Sequence, residues 1–364
     1  MEVLSTRRRY RRGFLLGKFL PPHAGHVHLV RTALARCNEL TVLVCTRDDD
    51  PIPGELRARW MRELFPTARI VHVTDDLPSY PHESPDFWPI WTRLFRERCP
   101  ETEVVFSSET YGDEIARHLT IDHVLVDLDR VQHQVSGTDV RADPLSQWEH
   151  IPVPVRPYFA QRVALLGPES VGKTTMARLL AEHFGCDWVE EYGREYTENI
   201  GPCDITAADF ERIAVGQVER EEEAARRCTG LLFCDTDAVT TEAFAEITIG
   251  YSPPSVTALA DERRHALYLL LDTDAPWVDD GTRWYPARRA EHVSLIRRAL
   301  ERRGREYVLI GGSNYDDRFS AAVAAVAQHL ARHTRALFPG KDNDNGKRNK
   351  LTRMSGNNGA VESA

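Results

Sequence analysis

Two short stretches of the chain place glycine, lysine and hydroxyl or imidazole side chains at spacings suited to binding phosphate. The first is "GKFLPPHAGH", residues 17–26, and the second is "GPESVGKTT", residues 167–175. Each follows a short apolar segment and precedes an amphipathic one, a pattern that predicts a strand, a tight turn and a helix. Because the free N–H groups and the dipole of a helix N-terminus favour anions, we expect a phosphate site at both places.

The first stretch combines a lysine and two histidines at the predicted turn. Lys18 adds a mobile positive charge, while His23 and His26 lie at the helix N-terminus and can donate hydrogen bonds to phosphoryl oxygens as charge develops. A bare H-x-x-H pattern more often marks surface or capping histidines, but G-x-F-x-P-x-H-x-G-H after a strand is far more restrictive. The other residues of this turn that we expect to contact ATP are Gly17, Phe19 and Gly25.

This stretch resembles the signature of the nucleotidyltransferase superfamily that is marked by a histidine–x–glycine–histidine motif. The second motif of that superfamily, Ser-x-Thr-x-x-Arg at a helix start, has a match in "VSGTDVR", residues 135–141. The resemblance implies transfer of a nucleotidyl group from a nucleoside triphosphate to a phosphate or carboxylate acceptor, with release of pyrophosphate. Ser136 and Thr138 are expected to cap the helix, and Arg141 to reach the outer phosphates.

The second stretch has the full G-x-x-x-x-G-K-[ST] spacing of a phosphate-binding P-loop. In such a loop the backbone amides wrap the phosphates, the lysine meets the β and γ oxygens, and the hydroxyl binds Mg²⁺. The residues expected to bind ATP here are Gly167, Ser170, Gly172, Lys173, Thr174 and Thr175.

A carboxylate that completes the Mg²⁺ site should end a later apolar strand. The segment "GLLFCDTD" supplies Asp235 at that point, and Asp237 is expected to cap the helix that follows. Thr174 and Asp235 are therefore the predicted metal ligands.

Charged and aromatic residues after later strands are candidates for binding the acceptor of a kinase reaction. Glu190, in "WVEEYGREYTE", is predicted to accept the proton of the acceptor hydroxyl. Glu191 and Arg194 are predicted to bind the acceptor, although an exposed helix start explains each of these charged residues equally well. "PWVDDGTRW", residues 276–284, adds Trp277 and Asp279 as further candidates.

Strand-like and helix-like segments alternate twice along the chain, with a proline-rich connector at residues 151–159 between the two series. This alternation predicts an α/β protein with two doubly wound parallel-sheet domains. The motifs and the resemblance imply that the first is a Rossmann-like nucleotidyltransferase and the second a P-loop kinase. We expect a flexible basic N-terminal arm over residues 1–12, the nucleotidyltransferase over 13–157 and the kinase over 158–334. A disordered C-terminal tail is expected over 335–364, which is polar and rich in glycine and asparagine.

Composition excludes several other classes of protein. The formal net charge of −9 argues against a general nucleic-acid binder. There is no apolar run of bilayer length and no signal-peptide core, so neither membrane insertion nor secretion is expected. The 7 cysteines are scattered and form no C-x-x-C pair, which favours a reduced, cytoplasmic protein without a zinc site.

The pairing of both phosphate motifs with "EEYGREYTE", "DTDAVTTEAF" and "PWVDDGTRW" resembles the NadR-type bifunctional proteins of NAD metabolism. The resemblance covers about residues 12–333 and implies nicotinamide mononucleotide (NMN) adenylyltransferase and ribosylnicotinamide kinase activities. It further implies Mg²⁺ as cofactor, ATP as co-substrate, and nicotinamide riboside, NMN and NAD as ligands. Too few residues precede the first predicted strand for the helix-turn-helix domain that some members carry, so operator binding is not expected.

The resemblance also bears on ring binding and on partners. Trp88 and Trp91 are candidates to stack on the cationic nicotinamide ring, although tryptophans three residues apart on a helix are more often core residues. Trp277 is the corresponding candidate in the kinase half. Functional coupling to a riboside transporter is implied by the family alone, and the oligomeric state, a homo-oligomer included, is left open.

Two alternatives to NAD synthesis are consistent with the same motifs. One is a different nucleotidyltransferase fused to another small-molecule kinase, because phosphate motifs recognise the triphosphate and not the acceptor. The other is a regulatory protein that senses ATP and NAD with slow turnover. The intact His23, His26, Lys173 and Asp235 argue against an inactive enzyme.

Overall fold

The computed structural model describes residues 9–127, 134–198, 200, 204–274, 285–312 and 314–333. Ten strands in this part of the chain form two parallel five-stranded sheets. Within the described residues, no helix is both long enough and apolar enough to span a membrane.

The first sheet has the strand order β3-β2-β1-β4-β5. Its strands are β1 (Tyr10–Gly17), β2 (Cys37–Cys45), β3 (Arg69–Val73), β4 (Val104–Ser107) and β5 (Asp122–Leu125). The helices of this half are α1 (Ala24–Leu34), α2 (Gly54–Leu64), α3 (Phe87–Arg98), α4 (Tyr111–Leu119) and α5 (Gly137–Ala142). The order reverses between β1 and β4, and ligands of open α/β sheets bind at the carboxyl ends of the strands at such a point.

Both faces of this sheet are covered by helices, as the nearly continuous apolar strands require. Leu15 of β1 packs on one face with α1 and α2, in a core that includes Leu29 and Met61. Phe14 packs on the other face with Trp91 and Phe95 of α3. Successive residues of β1 thus anchor helices on opposite sides and fix where its carboxyl end points.

The second sheet has the strand order β10-β9-β6-β8-β7. Its strands are β6 (Gln161–Leu166), β7 (Asp187–Val189), β8 (Leu231–Asp235), β9 (Leu267–Leu271) and β10 (Val308–Ile310). The accompanying helices are α6 (Arg156–Phe159), α7 (Lys173–Phe184), α8 (Tyr192–Thr197), α9 (Ala207–Arg227), α10 (Ala238–Ile249), α11 (Pro254–Glu262), α12 (Arg289–Arg302) and α13 (Tyr315–His333). The order reverses between β6 and β8, so a ligand site is expected at the carboxyl ends of these two strands.

A shared apolar core joins the two halves. Trp60 of α2 and Val140 of α5 belong to the same buried cluster as Phe159 of α6 and Leu232 of β8. The Trp148 Nε1 group donates a hydrogen bond of 2.9 Å to a backbone carbonyl at the end of α9. The helix that carries the second nucleotidyltransferase motif therefore packs against the kinase half.

The N-terminal arm predicted over residues 1–12 overlaps the first strand. β1 begins at Tyr10, because Tyr10 and Arg12 pair with Cys37 and Glu39 of β2. The Arg12 side chain also forms a surface ion pair of 2.9 Å with Glu39, so the basic run continues into the sheet. The predicted domain boundary after residue 157 falls within α6, and residues 334–364, which include the predicted tail, lie outside the described residues.

Two candidate nucleotide-binding sites

His23 is held at the start of α1 in a geometry that leaves one ring nitrogen as a donor. It is the N-cap of α1, and its Nδ1 accepts a hydrogen bond of 3.2 Å from the Gly25 backbone N–H. An imidazole that accepts at Nδ1 carries its proton on Nε2 in the neutral form. The His23 and His26 ring centroids lie 3.8 Å apart. The structure thus brings both predicted histidines together at the N-terminus of α1, beyond the carboxyl end of β1.

The turn between β1 and α1 is folded around Phe19. This residue has φ 47°, in the left-handed region, and its side chain is buried. Its ring contacts His26 at a centroid distance of 4.9 Å, and a Cβ atom on Gly17 would lie 3.2 Å from the ring. The buried Phe19 ring therefore packs against the His26 ring and holds it in place, while the Lys18 side chain is exposed.

The second nucleotidyltransferase motif lies against this turn. Ser136 is the N-cap of α5 and forms a capping box with Asp139. Thr138 lies inside the helix, so the predicted capping role belongs to Ser136 alone; the Thr138 hydroxyl instead accepts a hydrogen bond of 3.3 Å from Arg141. The Arg141 guanidinium also donates to the Leu20 carbonyl at 2.5 Å. Arg141 therefore reaches the phosphate-binding turn.

The P-loop has the conformation that its glycines predict. Gly167 has φ 146°, Ser170 has φ 60° and Gly172 has φ 87°. Lys173 is buried at the start of α7, and its Nζ donates a hydrogen bond of 3.0 Å to the Pro168 carbonyl across the loop. This contact keeps the ammonium over the anion-binding concavity. Thr175, in contrast, is exposed on the first turn of α7.

Asp235 ends β8 beside the P-loop and is fully buried. The Thr174 hydroxyl donates a hydrogen bond of 2.5 Å to its Oδ2, while its Oδ1 has no hydrogen-bond partner among the described residues. Burial raises the pKa of the Asp235 carboxyl to about 6, the Glu191 carboxylate acts in the same direction, and the Lys173 ammonium opposes them. A buried oxygen without a donor next to a threonine hydroxyl fits a divalent cation, which prefers oxygen ligands. Asp237 caps α10 as expected, because it accepts from the backbone N–H groups of Val239 and Thr240.

The two adjacent glutamates after β7 point to different places. Glu191 lies near enough to Asp235 to affect its pKa, and Arg194 donates a hydrogen bond of 3.3 Å to the Thr174 hydroxyl. Glu190 is exposed and lines a surface groove with Trp188 and Glu219. The structure therefore favours Glu191 over Glu190 as the carboxylate of the acceptor side.

The tryptophans proposed for ring binding occupy different environments. Trp91 is 8% exposed, packs in the core and donates from Nε1 to the Pro78 carbonyl at 2.9 Å. It is therefore a core residue, as the alternative to ring binding predicted. Trp88 is half-buried and stacks on His118 at a centroid distance of 4.5 Å. Trp277 and Asp279 lie outside the described residues.

Several residues around the loops carry no recognisable motif and were not predicted. Arg57 of α2 donates to the Lys18 carbonyl, and Arg318 of α13 donates to the Val171 carbonyl of the P-loop. His292 of α12 is 5% exposed and stacks on Phe244; burial, followed by the charge of Lys173, lowers the His292 pKa to about 3. Sequence gives no signal for these residues, because their contacts join elements far apart in the chain.

Comparisons with known proteins find similarity in both halves of the chain. The model of the AAA domain family matches residues 162–318, which include the P-loop. The chain is 32% identical over 344 residues to the trifunctional NAD biosynthesis/regulator protein NadR of Escherichia coli strain K12, covering 87% of this chain and 83% of that protein. It is 31% identical over 351 residues to the protein of the same name from Salmonella typhimurium, covering 89% and 84% of the two chains.

Solved structures show the same fold over both halves. A crystal structure of NadR protein in complex with NR superposes with a TM-score of 0.74 at 23% identity, covering 90% of this chain and 98% of that one. A NadR structure in complex with NAD and AMP-PNP superposes with a TM-score of 0.72 at 24% identity and the same coverage. The arrangement of two sheets and their helices is therefore a fold already known from solved structures.

Proposed function

The chain belongs to the NadR family of NAD biosynthesis proteins, and we infer that it makes NAD from nicotinamide riboside in two ATP-dependent steps. The kinase half phosphorylates the 5′-hydroxyl of the riboside, and the adenylyltransferase half joins the resulting NMN to the AMP portion of a second ATP. The observation that carries this conclusion is the presence of two complete phosphate-binding loops, each at the carboxyl edge of its own parallel sheet.

For adenylyl transfer the first site has to align NMN with ATP and to stabilise the negative charge that develops on the phosphate oxygens. A phosphate oxygen of NMN attacks the α-phosphorus of ATP, and the bond from that phosphorus to the β-phosphate oxygen breaks to release pyrophosphate. The Nε2–H group of His23, together with His26, Lys18 and Arg141, donates to the phosphate oxygens on which negative charge accumulates. The attacking oxygen is already ionised, so the step needs no side-chain base.

In the kinase step the 5′-oxygen of the riboside attacks the γ-phosphorus of ATP, and the bond from that phosphorus to the β-phosphate oxygen breaks to release ADP. This step needs more from the second site, because the hydroxyl must lose its proton. Lys173 and the P-loop amides hold the γ-phosphate, and Glu191 is our choice for the group that accepts the proton of the 5′-hydroxyl. Arg194 bridges Thr174 and Glu191, with an Arg194–Glu191 distance of 3.5 Å, and so keeps this carboxylate beside the loop.

Mg²⁺ is the proposed cofactor of the kinase half. Asp235, through its buried Oδ1, and the Thr174 hydroxyl would hold it. When bound, the ion neutralises charge on the phosphates and favours the ionised form of Asp235.

The proposed partners are small molecules: ATP, nicotinamide riboside, NMN and NAD. We also propose a cytoplasmic location, in keeping with the 6 described cysteines, none of which is paired in a disulfide with another described cysteine.

Turnover of defined substrates tests this function. Purified protein is supplied with nicotinamide riboside, ATP and Mg²⁺, and NMN, NAD and pyrophosphate are quantified by chromatography and a coupled assay. A parallel reaction starts from NMN, which bypasses the kinase. We expect NAD in both reactions and transient NMN in the first. ATP binding without either product would favour the regulatory alternative, and no consumption of ATP would contradict the proposal.

A further inference from the structure

The first site is supported by an arginine that is completely buried. Arg57 lies on the inner face of α2 and has a relative exposure of 0%. Burying a guanidinium is costly unless its N–H groups are matched by acceptors and its charge is paired. The Nε group of Arg57 has no hydrogen-bond partner among the described residues, so its two Nη groups have to supply the pairing.

The partners of Arg57 are a carboxylate and one backbone carbonyl of the phosphate-binding turn. Its Nη2 donates to the Asp50 carboxylate at 2.6 Å, and its Nη1 donates to the Lys18 carbonyl at 2.7 Å. Asp50 is itself fixed, because its carboxylate accepts a hydrogen bond of 3.0 Å from the Arg47 backbone N–H in the loop after β2. One planar fork thus ties the end of β2 to the turn after β1.

The turn is held from two sides at alternate residues. Arg57 holds the carbonyl of Lys18, and Arg141 holds the carbonyl of Leu20. Phe19 lies between them with φ 47°, and its ring supports His26. A shift of the Lys18 carbonyl would therefore change both the direction of the Lys18 side chain and the support under His26.

We propose that Arg57 and Asp50 are positioning residues for adenylyl transfer, which set the place of Lys18 and, through Phe19, of His26. The inference rests on the proposed adenylyltransferase activity of this half. The two Nη groups of Arg57 are engaged by the Lys18 carbonyl and the Asp50 carboxylate, so in this proposal Arg57 acts through the residues that it places. Small displacements of such groups are costly, since an error of 1 Å can lower a rate by about 10²-fold.

The test is Arg57→Lys, which keeps the charge but has one nitrogen on a shorter reach and so cannot bridge both acceptors as the fork does. We expect kcat for NAD formation from NMN to fall about 10- to 100-fold, with a much smaller change in KM for ATP. Riboside phosphorylation, measured on the same sample, should be unchanged. Asp50→Asn should give the same pattern with a smaller loss, because the bond to the Lys18 carbonyl remains.

Arg62→Ala is the matched control. Arg62 lies on the exposed side of the same helix and pairs with Glu55 at 2.8 Å, so its loss should leave both activities as in the wild type. Thermal unfolding of each variant is followed in parallel, and the rates are measured well below the unfolding transition.

Double-mutant cycles with His26→Ala and with Lys18→Ala separate positioning from stability. If Arg57 acts through these residues, the loss caused by Arg57→Lys becomes several-fold smaller in at least one of the two backgrounds. An equal loss in the wild type and in both backgrounds, or a parallel loss of both activities with the unfolding temperature, would overturn the inference. Failure of the wild-type protein to form NAD from NMN would instead overturn the proposed function.

Discussion

The two nucleotide sites share a location at the edge of a parallel sheet but differ in the charge of the groups around the phosphates. In our proposal the first site gathers donors: two imidazoles, the Arg141 guanidinium and the ammonium of the exposed Lys18. The second adds acids, the buried Asp235 and the half-buried Glu191, to its lysine and loop amides. This difference in charge matches the protonation state of the nucleophile in each proposed reaction. An ionised phosphate needs neutralisation, whereas a hydroxyl needs a proton acceptor and a metal shell.

The largest expected effect comes from removing one proposed phosphate-binding side chain from each site. Lys173→Ala should lower riboside phosphorylation about 10²- to 10³-fold, because the developing charge on the γ-phosphate loses its fixed donor. NAD formation from supplied NMN should persist in this variant. His26→Ala should do the reverse, so that NMN accumulates from riboside while NAD formation falls by a similar factor. Both products are quantified by chromatography, once from riboside and once from supplied NMN, and loss of both the kinase and the adenylyltransferase activity in either variant would refute the independence of the sites.

The two glutamates after β7 give a matched pair with the next largest effect. Glu191→Gln should lower kcat for the kinase about 10²-fold, because the proton acceptor is lost while the shape of the side chain is kept. Glu190→Gln should leave the kinase rate nearly unchanged, because Glu190 faces the surface groove. Steady-state kinetics with riboside as the varied substrate measure both. A larger loss in Glu190→Gln would reverse our assignment.

A smaller effect is expected where α5 meets the turn of the first site. A Cβ atom on Gly137 would lie 2.4 Å from the Leu20 carbonyl oxygen, so Gly137→Ala must push the turn and α5 apart. Overpacking of this kind costs about 1–3 kcal/mol, and we expect kcat/KM for adenylyl transfer to fall about tenfold. Gly185→Ala in the kinase half is a control for glycine loss, because nothing lies within 4 Å of a Cβ there, although its φ of 65° adds local strain. Equal adenylyl transfer in Gly137→Ala and the wild type would show that the turn tolerates the shift.

These contrasts also show which features the sequence could predict. The P-loop, Asp235 and the cap at Ser136 were predictable because each depends on neighbours within a few residues or on the end of an apolar strand. The choice between Glu190 and Glu191 was not, because it depends on the direction in which the chain leaves β7. Arg57 was equally hidden, since its acceptors come from the turns after β1 and β2. Arg11 and Arg12 of β1 were predicted to belong to a flexible arm, because their partner Glu101 lies about ninety residues away in the sequence.

The last prediction concerns how the stability of the kinase half depends on pH, through the buried His292. The folded pKa of His292 is about 3, because the ring is buried and close to the Lys173 ammonium. In the unfolded chain its pKa is near the ordinary value of about 6.5. Above that pH neither state holds the proton, and the group has no effect on stability. Between the two pKa values only the unfolded state binds the proton, so the free energy of unfolding falls as the pH falls, by at most about 1.4 kcal/mol per pH unit.

The kinase half should therefore lose about 2 kcal/mol of stability between pH 7 and pH 5 through this residue alone. The measurement is the urea concentration at which each activity is half lost, determined across that range. His292→Asn removes the titrating group and keeps an amide donor, so its kinase midpoint should vary less with pH than that of the wild type. The adenylyltransferase midpoint should differ less between the two proteins than the kinase midpoint, because His292 lies in the other half. If the variant and the wild type show equal pH slopes for the kinase, His292 does not take up a proton on unfolding and this prediction is wrong.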